Sequence, residues 1–217
     1  IKIKKRCSIK RTKSFLKNMN KYQNKYRIPS ARLQNWDYGA MGSYFVTICT
    51  QNREHFFGEI AETPSVETPC MASLTQTRNE MILNDIGKKV EEEWLKTIEL
   101  RPDMNLELGN FVVMPNHFHG ILIIGGNEFN TDTDIDTKNK FGPQSKNLGS
   151  IIRGFKSAVT MFAKTNVRDA MHRVSTNDFG WQPRFHDHII RNSLEFERIQ
   201  NYIANNVENW NKDKFYK

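Results

Sequence analysis

The 217 residues, 38% hydrophobic and 26% charged, suit one compact domain with appendages, and 14 Phe, 6 Tyr and 4 Trp argue against a disordered chain. A mean hydropathy of −0.65 and the lack of any apolar run of about 18 residues argue against a helical membrane span and predict a soluble protein. The net charge of +8 is unevenly placed: residues 1–36 hold 12 bases and no acid, residues 37–137 hold 6 bases against 17 acids, and residues 138–217 hold 14 against 7.

Eight of the N-terminal bases fall in residues 1–18, and without them the rest of the chain has no net charge. Residue 1 is Ile and Met19 is a plausible start, so residues 1–18 read as an upstream extension within a basic arm, residues 1–36. Such an arm can be solvated or can bind phosphate, and composition leaves both readings open. Cys7, Cys49 and Cys70 are odd in number and lack metal-type spacing, which predicts a reducing cytoplasm rather than a disulfide framework. No stretch of signal-peptide type precedes the domain.

In chain order, Arg27, Arg32, Trp36 and Tyr38 offer phosphate contacts and stacking platforms, and the two aromatic rings could equally staple the arm to a core. GSYFVTICTQ, 42–51, reads as a buried strand. Residues 61–79, with two prolines and mostly small polar residues, predict a flexible loop between short strands. Asn84 can cap a helix whose apolar positions Ile86, Val90, Trp94 and Ile98 recur every four residues and which ends before Pro102. NFVVMPNHFHGILII, 110–124, holds two apolar strands about a Pro115-Asn116 turn. Residues 126–147 predict a mobile connection. Leu148, Ile151, Ile152, Phe155, Val159 and Phe162 then define one helix face. Asn192 and Glu195 resemble a capping box for a last helix, Ser193 to Trp210, with 211–217 as a tail. Irregular alternation with hairpin-like strand pairs favours an α+β fold, an antiparallel sheet with helices packed on it. Neither a P-loop nor G-x-G-x-x-G occurs, so no nucleotide cofactor is expected.

The chemistry concentrates in two places. His117 and His119, two apart on a strand, project from one face and can offer two nitrogens to a divalent ion, whereas a His-x-His pair alone is also compatible with a structural role. Tyr202 and Asn206, four apart on a helix, are neighbours on one face. A tyrosine at a helix interface is ordinarily a core residue. As a nucleophile it needs a polarised electrophile, because a phenol with a pKa near about 10 attacks poorly at neutral pH.

Several blocks in order, YRIPSARL at 26–33, WDY at 36–38, YFVTICTQNREHFFGEI at 44–60, MPNHFHGILI at 114–123, LGSIIRGFKSAVT at 148–160, WQPRFHDHIIRN at 181–192 and the stretch around Tyr202, resemble a known family. It is the single-tyrosine HUH (His, hydrophobic, His) transposases, in the branch associated with REP-type palindromic repeats. The resemblance covers most of residues 22–210. It implies a ferredoxin-like, RRM-like core spanning residues 37–210, in which His117, His119 and Asn206 ligate Mg²⁺ or Mn²⁺. Tyr202 would attack a phosphodiester of single-stranded or hairpin DNA, leaving a 5′-phosphotyrosine and a free 3′-OH. With one such tyrosine per chain, coordinated cleavages imply a homodimer acting in the cytoplasm at the nucleoid. Two imidazoles are unusual company for Mg²⁺, which favours Mn²⁺ in vitro. Asn116, Arg153, Lys156, Arg184 and Arg191 are further candidate DNA contacts, and His186 and His188 are candidate proton acceptors or structural histidines. The competing readings are a domesticated DNA-hairpin or RNA binder without chemistry and, less favoured, a zinc-stabilised structural protein.

Overall fold

The computed structural model describes residue 33 and residues 36–64, 77–130, 145–165 and 179–216, with backbone at 21–22 and 25–26. The chain forms two compact units, Ile1–Leu33 and Gln34–Lys217. In the first, β1 (Lys21–Tyr22) and β2 (Lys25–Tyr26) pair antiparallel, with Lys21 opposite Tyr26.

The second unit carries β3 (Gly42–Cys49), β4 (Gly58–Pro64), β5 (Thr77–Leu83), α1 (Asp85–Glu99), β6 (Leu106–Met114), β7 (His117–Ile124), α2 (Leu148–Thr165), β8 (His186–Ile190) and α3 (Ser193–Ala204). Its main sheet has the order β6-β7-β3-β8 with every neighbouring pair antiparallel. It follows that β3 and β6 run the same way with β7 between them, and β7 and β8 the same way with β3 between them. Two interleaved split β-α-β units result, the ferredoxin-like order, and the expected α+β class is what the protein adopts.

Strand β7 divides its side chains between two environments, because successive residues point to opposite faces. Phe118, Leu122 and Ile124 enter the larger core with Trp94 of α1 and Phe155 of α2. The Phe118 ring centroid lies 4.7 Å from that of Trp94 and 5.5 Å from that of Phe155. Gly120 makes room for this cluster, since a Cβ there would lie 2.8 Å from the Trp94 ring. His117, His119 and Ile121 point the other way, where Ile121 packs with Ile190, Ile199 and Ile203 beneath α3.

The helices begin as their caps dictate. The side chain of Asn84 accepts from the Gly87 amide at 2.9 Å, and that of Asn192 accepts from the Glu195 amide at 2.9 Å. The Glu195 carboxylate reaches back to the Arg191 amide at 3.0 Å, one residue earlier than in a standard capping box. Of the expected α1 stripe, Ile86, Val90 and Trp94 are buried, while Ile98 is 39% exposed near the helix end.

Three expectations change. Residues 61–64 and 77–79, expected in a loop, belong to the β4-β5 ladder, which runs from Gly58 opposite Leu83 to Pro64 opposite Thr77. Its polar sequence lacks the alternation that marks a half-buried strand. Residues 65–76 and 131–144, within the expected loops, lie outside the described residues, as do Arg27 and Arg32. Helix α3 ends at Ala204 rather than Trp210, in a run rich in asparagine. Asn205 and Asn209 each donate a side-chain hydrogen bond to the carbonyl four residues back, at 2.7 and 2.9 Å, so side chains compete there for helical acceptors. Residues 211–216, expected as a tail, turn back onto the domain after a 3₁₀ turn at Trp210–Lys212. Trp210 and Phe215 are buried there against Cys49 and Met114.

Candidate active site

The two histidines sit on β7, one of the two central strands of the sheet, on the α3 face. His117 lies between Met114 and Cys49, and His119 between Val112 and Thr47. Their ring centroids are 4.5 Å apart, and both side chains are buried. Neighbouring groups fix how each ring is used. The Asn116 amide donates from Nδ2 to the carbonyls of Phe215 at 2.9 Å and Arg53 at 3.3 Å, which leaves its Oδ1 to accept from His117 Nδ1 at 2.9 Å. The proton of neutral His117 is therefore on Nδ1, and its Nε2 carries a lone pair. That Nε2 is fully buried and has no hydrogen-bond partner. His119 Nδ1 meets the Thr47 hydroxyl at 2.9 Å, leaving its Nε2 for the site.

Electrostatics keep both rings uncharged. Burial, helped by the positive charges of Lys214 and Arg53, pushes His117 down to about 3. Burial and the neighbouring His117 hold His119 well below the usual imidazole value. Both rings present lone pairs throughout the physiological range.

Helix α3 brings the tyrosine to them. The Tyr202 hydroxyl lies 3.2 Å from His119 Nε2 and donates to Asp213 Oδ2 at 3.3 Å. Phe45 supports both groups, stacking on His119 with centroids 5.1 Å apart and meeting Tyr202 edge-on at 6.2 Å. Burial and the Asp213 charge push Tyr202 up to about 12. Asn206 is buried, donates to Asp213 Oδ2 at 3.3 Å, and leaves its Oδ1 without a partner. His117, His119 and Asp213 each offer a ligand atom within 4.8 Å of the others, a group able to hold a metal ion. Buried acceptors are normally paired. Here His117 Nε2 and Asn206 Oδ1 are buried acceptors that meet no donor, the chemistry a cation would satisfy.

The structure thus brings together His117, His119, Tyr202 and Asn206 from the sequence reading, and adds Asp213. Asp213 lay in the expected tail, and the available signal was its place between two aromatic residues, Trp210 and Phe215, that a solvated tail would not need. Asn116, expected to contact DNA, is instead fully buried, with its amide spent on His117 and two backbone carbonyls. Tyr38 is 2% exposed, too buried to offer a stacking face, whereas half-buried Trp36 donates to the Tyr44 hydroxyl at 3.2 Å. Arg153 and Lys156 lie on α2, which packs on the sheet face opposite the histidines. The Lys156 ammonium donates to the Gln182 carbonyl at 2.6 Å beneath the Trp181 ring, and burial pushes it down to about 8. Arg184 and Arg191 are exposed at the two ends of β8. His186 pairs in register with Thr47, and His188 meets Glu195 at 2.8 Å. Neither is among the groups hydrogen-bonded to Tyr202.

No protein-family model matches the chain. A Haemophilus influenzae (strain KW20/Rd) protein of uncharacterised role is 32% identical over 193 residues, covering 86% of this chain and 92% of its own length. Among solved structures, a REP-associated tyrosine transposase bound to a REP hairpin is similar at 17% identity and a TM-score of 0.47, covering 86% of this chain and 77% of its own. A provisionally named transposase from Deinococcus radiodurans R1 is similar at 16% identity and a TM-score of 0.36, covering 82% and 97%. Among the described residues no helix is long and apolar enough to cross a membrane. The chain belongs to one family with the Haemophilus influenzae protein.

Proposed function

We propose that this protein is a divalent-cation-dependent transposase of single-stranded DNA, a nickase and strand transferase acting near palindromic hairpins through a phosphotyrosine. The observation that carries this reading is the Tyr202 hydroxyl 3.2 Å from Nε2 of a buried, uncharged His119. His117, His119 and Asn206 would hold Mg²⁺ or Mn²⁺, which when bound polarises a phosphate oxygen and neutralises charge developing there. The fit rests on the two buried acceptors that lack hydrogen-bond partners.

The chain's own groups account for the rest. Asn116 and Thr47 orient the imidazoles, so that neither ring has to be ordered when substrate arrives. Helix α3 holds the phenol at the edge of the site, 41% exposed, where DNA can reach it and its proton can leave to water. A hydroxyl pushed up to about 12 stays protonated at neutral pH, so attack waits for a compensating charge. In the covalent step the phenolic oxygen bonds to phosphorus and the P–O3′ bond breaks. The departing oxygen keeps the electron pair and takes up a proton as the 3′-OH. The 5′-phosphate stays on Tyr202, so a second 3′-OH can reverse the step without another energy source. Two linked cleavages would use two copies of the chain in a homodimer, in the cytoplasm. Exposed Arg184 and Arg191 are the described bases best placed to track a strand beside β8.

The test is incubation with single-stranded DNA carrying a palindrome, plus Mn²⁺, followed by denaturing electrophoresis. Wild type should form a covalent adduct, and Tyr202→Phe should not. Hairpin binding with no adduct from wild type would replace the enzyme with a DNA-binding module.

A further inference from the structure

We propose that Asp213 is the oxygen ligand that completes the cation site and that this carboxylate and His119 together park Tyr202, so that cation binding and the parked tyrosine compete for the same two atoms. This rests on the reading above that the two imidazoles hold a divalent cation.

Asp213 reaches the histidines because the segment after α3 is tied down at three points. Asn116 Nδ2 donates to the Phe215 carbonyl at 2.9 Å, Arg53 donates to the Lys214 carbonyl at 3.1 Å, and the Arg53 guanidinium lies 5.0 Å from the centre of the Phe215 ring. Phe215 in turn packs on His117 with centroids 4.6 Å apart. The segment is thus built into the wall of the site.

The accounting of lone pairs makes Asp213 more than a neighbour. Its Oδ1 accepts from the Phe215 amide at 2.7 Å, and its Oδ2, which also accepts from Asn206 Nδ2 at 3.3 Å, faces the site. His119 Nδ1 is engaged by Thr47, leaving Nε2. Each residue has one atom left to offer, and both atoms lie against the Tyr202 hydroxyl, at 3.3 and 3.2 Å. His119 Nε2 has a single lone pair, so a cation bound there displaces the phenolic hydroxyl, and at Asp213 Oδ2 the cation's charge weakens what the remaining lone pair can accept. Taking up the ion therefore removes one of the hydroxyl's two alternative acceptors, weakens the other and loosens Tyr202 for a phosphate. A second, independent observation points into the same space: His117 Nε2, completely buried, has no partner. A carboxylate also supplies what two imidazoles lack, a charged oxygen of the kind Mg²⁺ and Mn²⁺ favour.

The experiment is Mn²⁺ affinity of the full chain without DNA, read from the electron paramagnetic resonance signal of free Mn²⁺, with melting curves to verify folding. Asp213→Asn, which keeps the shape and the bond to Phe215, should weaken binding by about tenfold or more, the scale found when a metal site loses even an outer partner. Tyr202→Phe should tighten binding by roughly fivefold, the equivalent of one competing hydrogen bond removed. That gain should shrink in the Asp213→Asn background. Unchanged or weaker binding by Tyr202→Phe overturns the competition, and wild-type affinity in Asp213→Asn overturns the ligand role. If Asp213→Asn fails to fold, Asp213→Ser carries the same comparison. Binding that needs His119 but not Asp213 removes this inference alone, whereas no binding by wild type removes the cation reading with it.

Discussion

The two faces of strand β7 differ in kind although their residues alternate in sequence. On the α1-α2 side, Phe118 sits among Trp94 and Phe155 in a core that is apolar and closely filled. On the α3 side, His117 and His119 are equally buried, yet they lie beside acceptors that meet no donor and a tyrosine that stays partly open to solvent. Burial therefore serves two ends on one strand. It stabilises the fold through one face, and through the other it keeps a pair of imidazoles neutral and immobile.

That division can be broken from either side. The largest effect should come from Tyr202→Phe, with complete loss of the covalent DNA adduct on denaturing gels and a melting temperature near that of wild type. On the opposite face, Phe118→Ala should cost about 3–5 kcal/mol in urea unfolding, since it empties the centre of the aromatic cluster. Asn116→Ala should weaken Mn²⁺ binding by roughly 10–100-fold, because His117 loses the partner that fixes its tautomer.

Acid sharpens the comparison further. His117 and His119 have folded pKa values depressed below the usual 6.5, so in the metal-free protein the unfolded chain binds more protons below that pH. The stability they protect is present above pH 6.5 and is lost as pH falls toward about 3 for His117. The slope is about 1.4 kcal/mol per pH unit for each histidine. Urea midpoints measured between pH 7 and 4 should follow it, and His117→Asn should flatten it by about half. The smallest effect should come from Arg78→Ala, which breaks an exposed ion pair with Glu208 at 3.3 Å and should shift stability by less than about 1 kcal/mol.

Much of this was legible in the sequence because it rests on local rules. Asn84 and Asn192 mark helix starts, the apolar stripe of Leu148 to Val159 marks a helix face, and Pro115-Asn116 marks the turn that pairs β6 with β7. The two-residue spacing of His117 and His119 fixed their common face. What was not legible depends on long-range contact. Nothing local to residues 211–216 says that they fold back, because the partners of Phe215 and Lys214 are Asn116 and Arg53, about a hundred and more residues earlier. Asn116 misled for a related reason: a polar side chain at a turn ordinarily meets solvent, and only the returning segment buries it. The β4-β5 ladder was hidden because its covered face is only half-buried, Asn79, Met81 and Leu83 in β5, and the sequence shows no matching alternation of apolar and polar residues.

The pairing of β7 with β3, Thr47 against His119 and Cys49 against His117, has a consequence for how the protein matures. Were β7 to slip by one position along its neighbours, both imidazoles would rotate into the aromatic interior and Phe118 would emerge beneath the tyrosine. No half-correct sheet can present a working centre. The two imidazoles and the tyrosine thus come together only in molecules whose strands have annealed in this register.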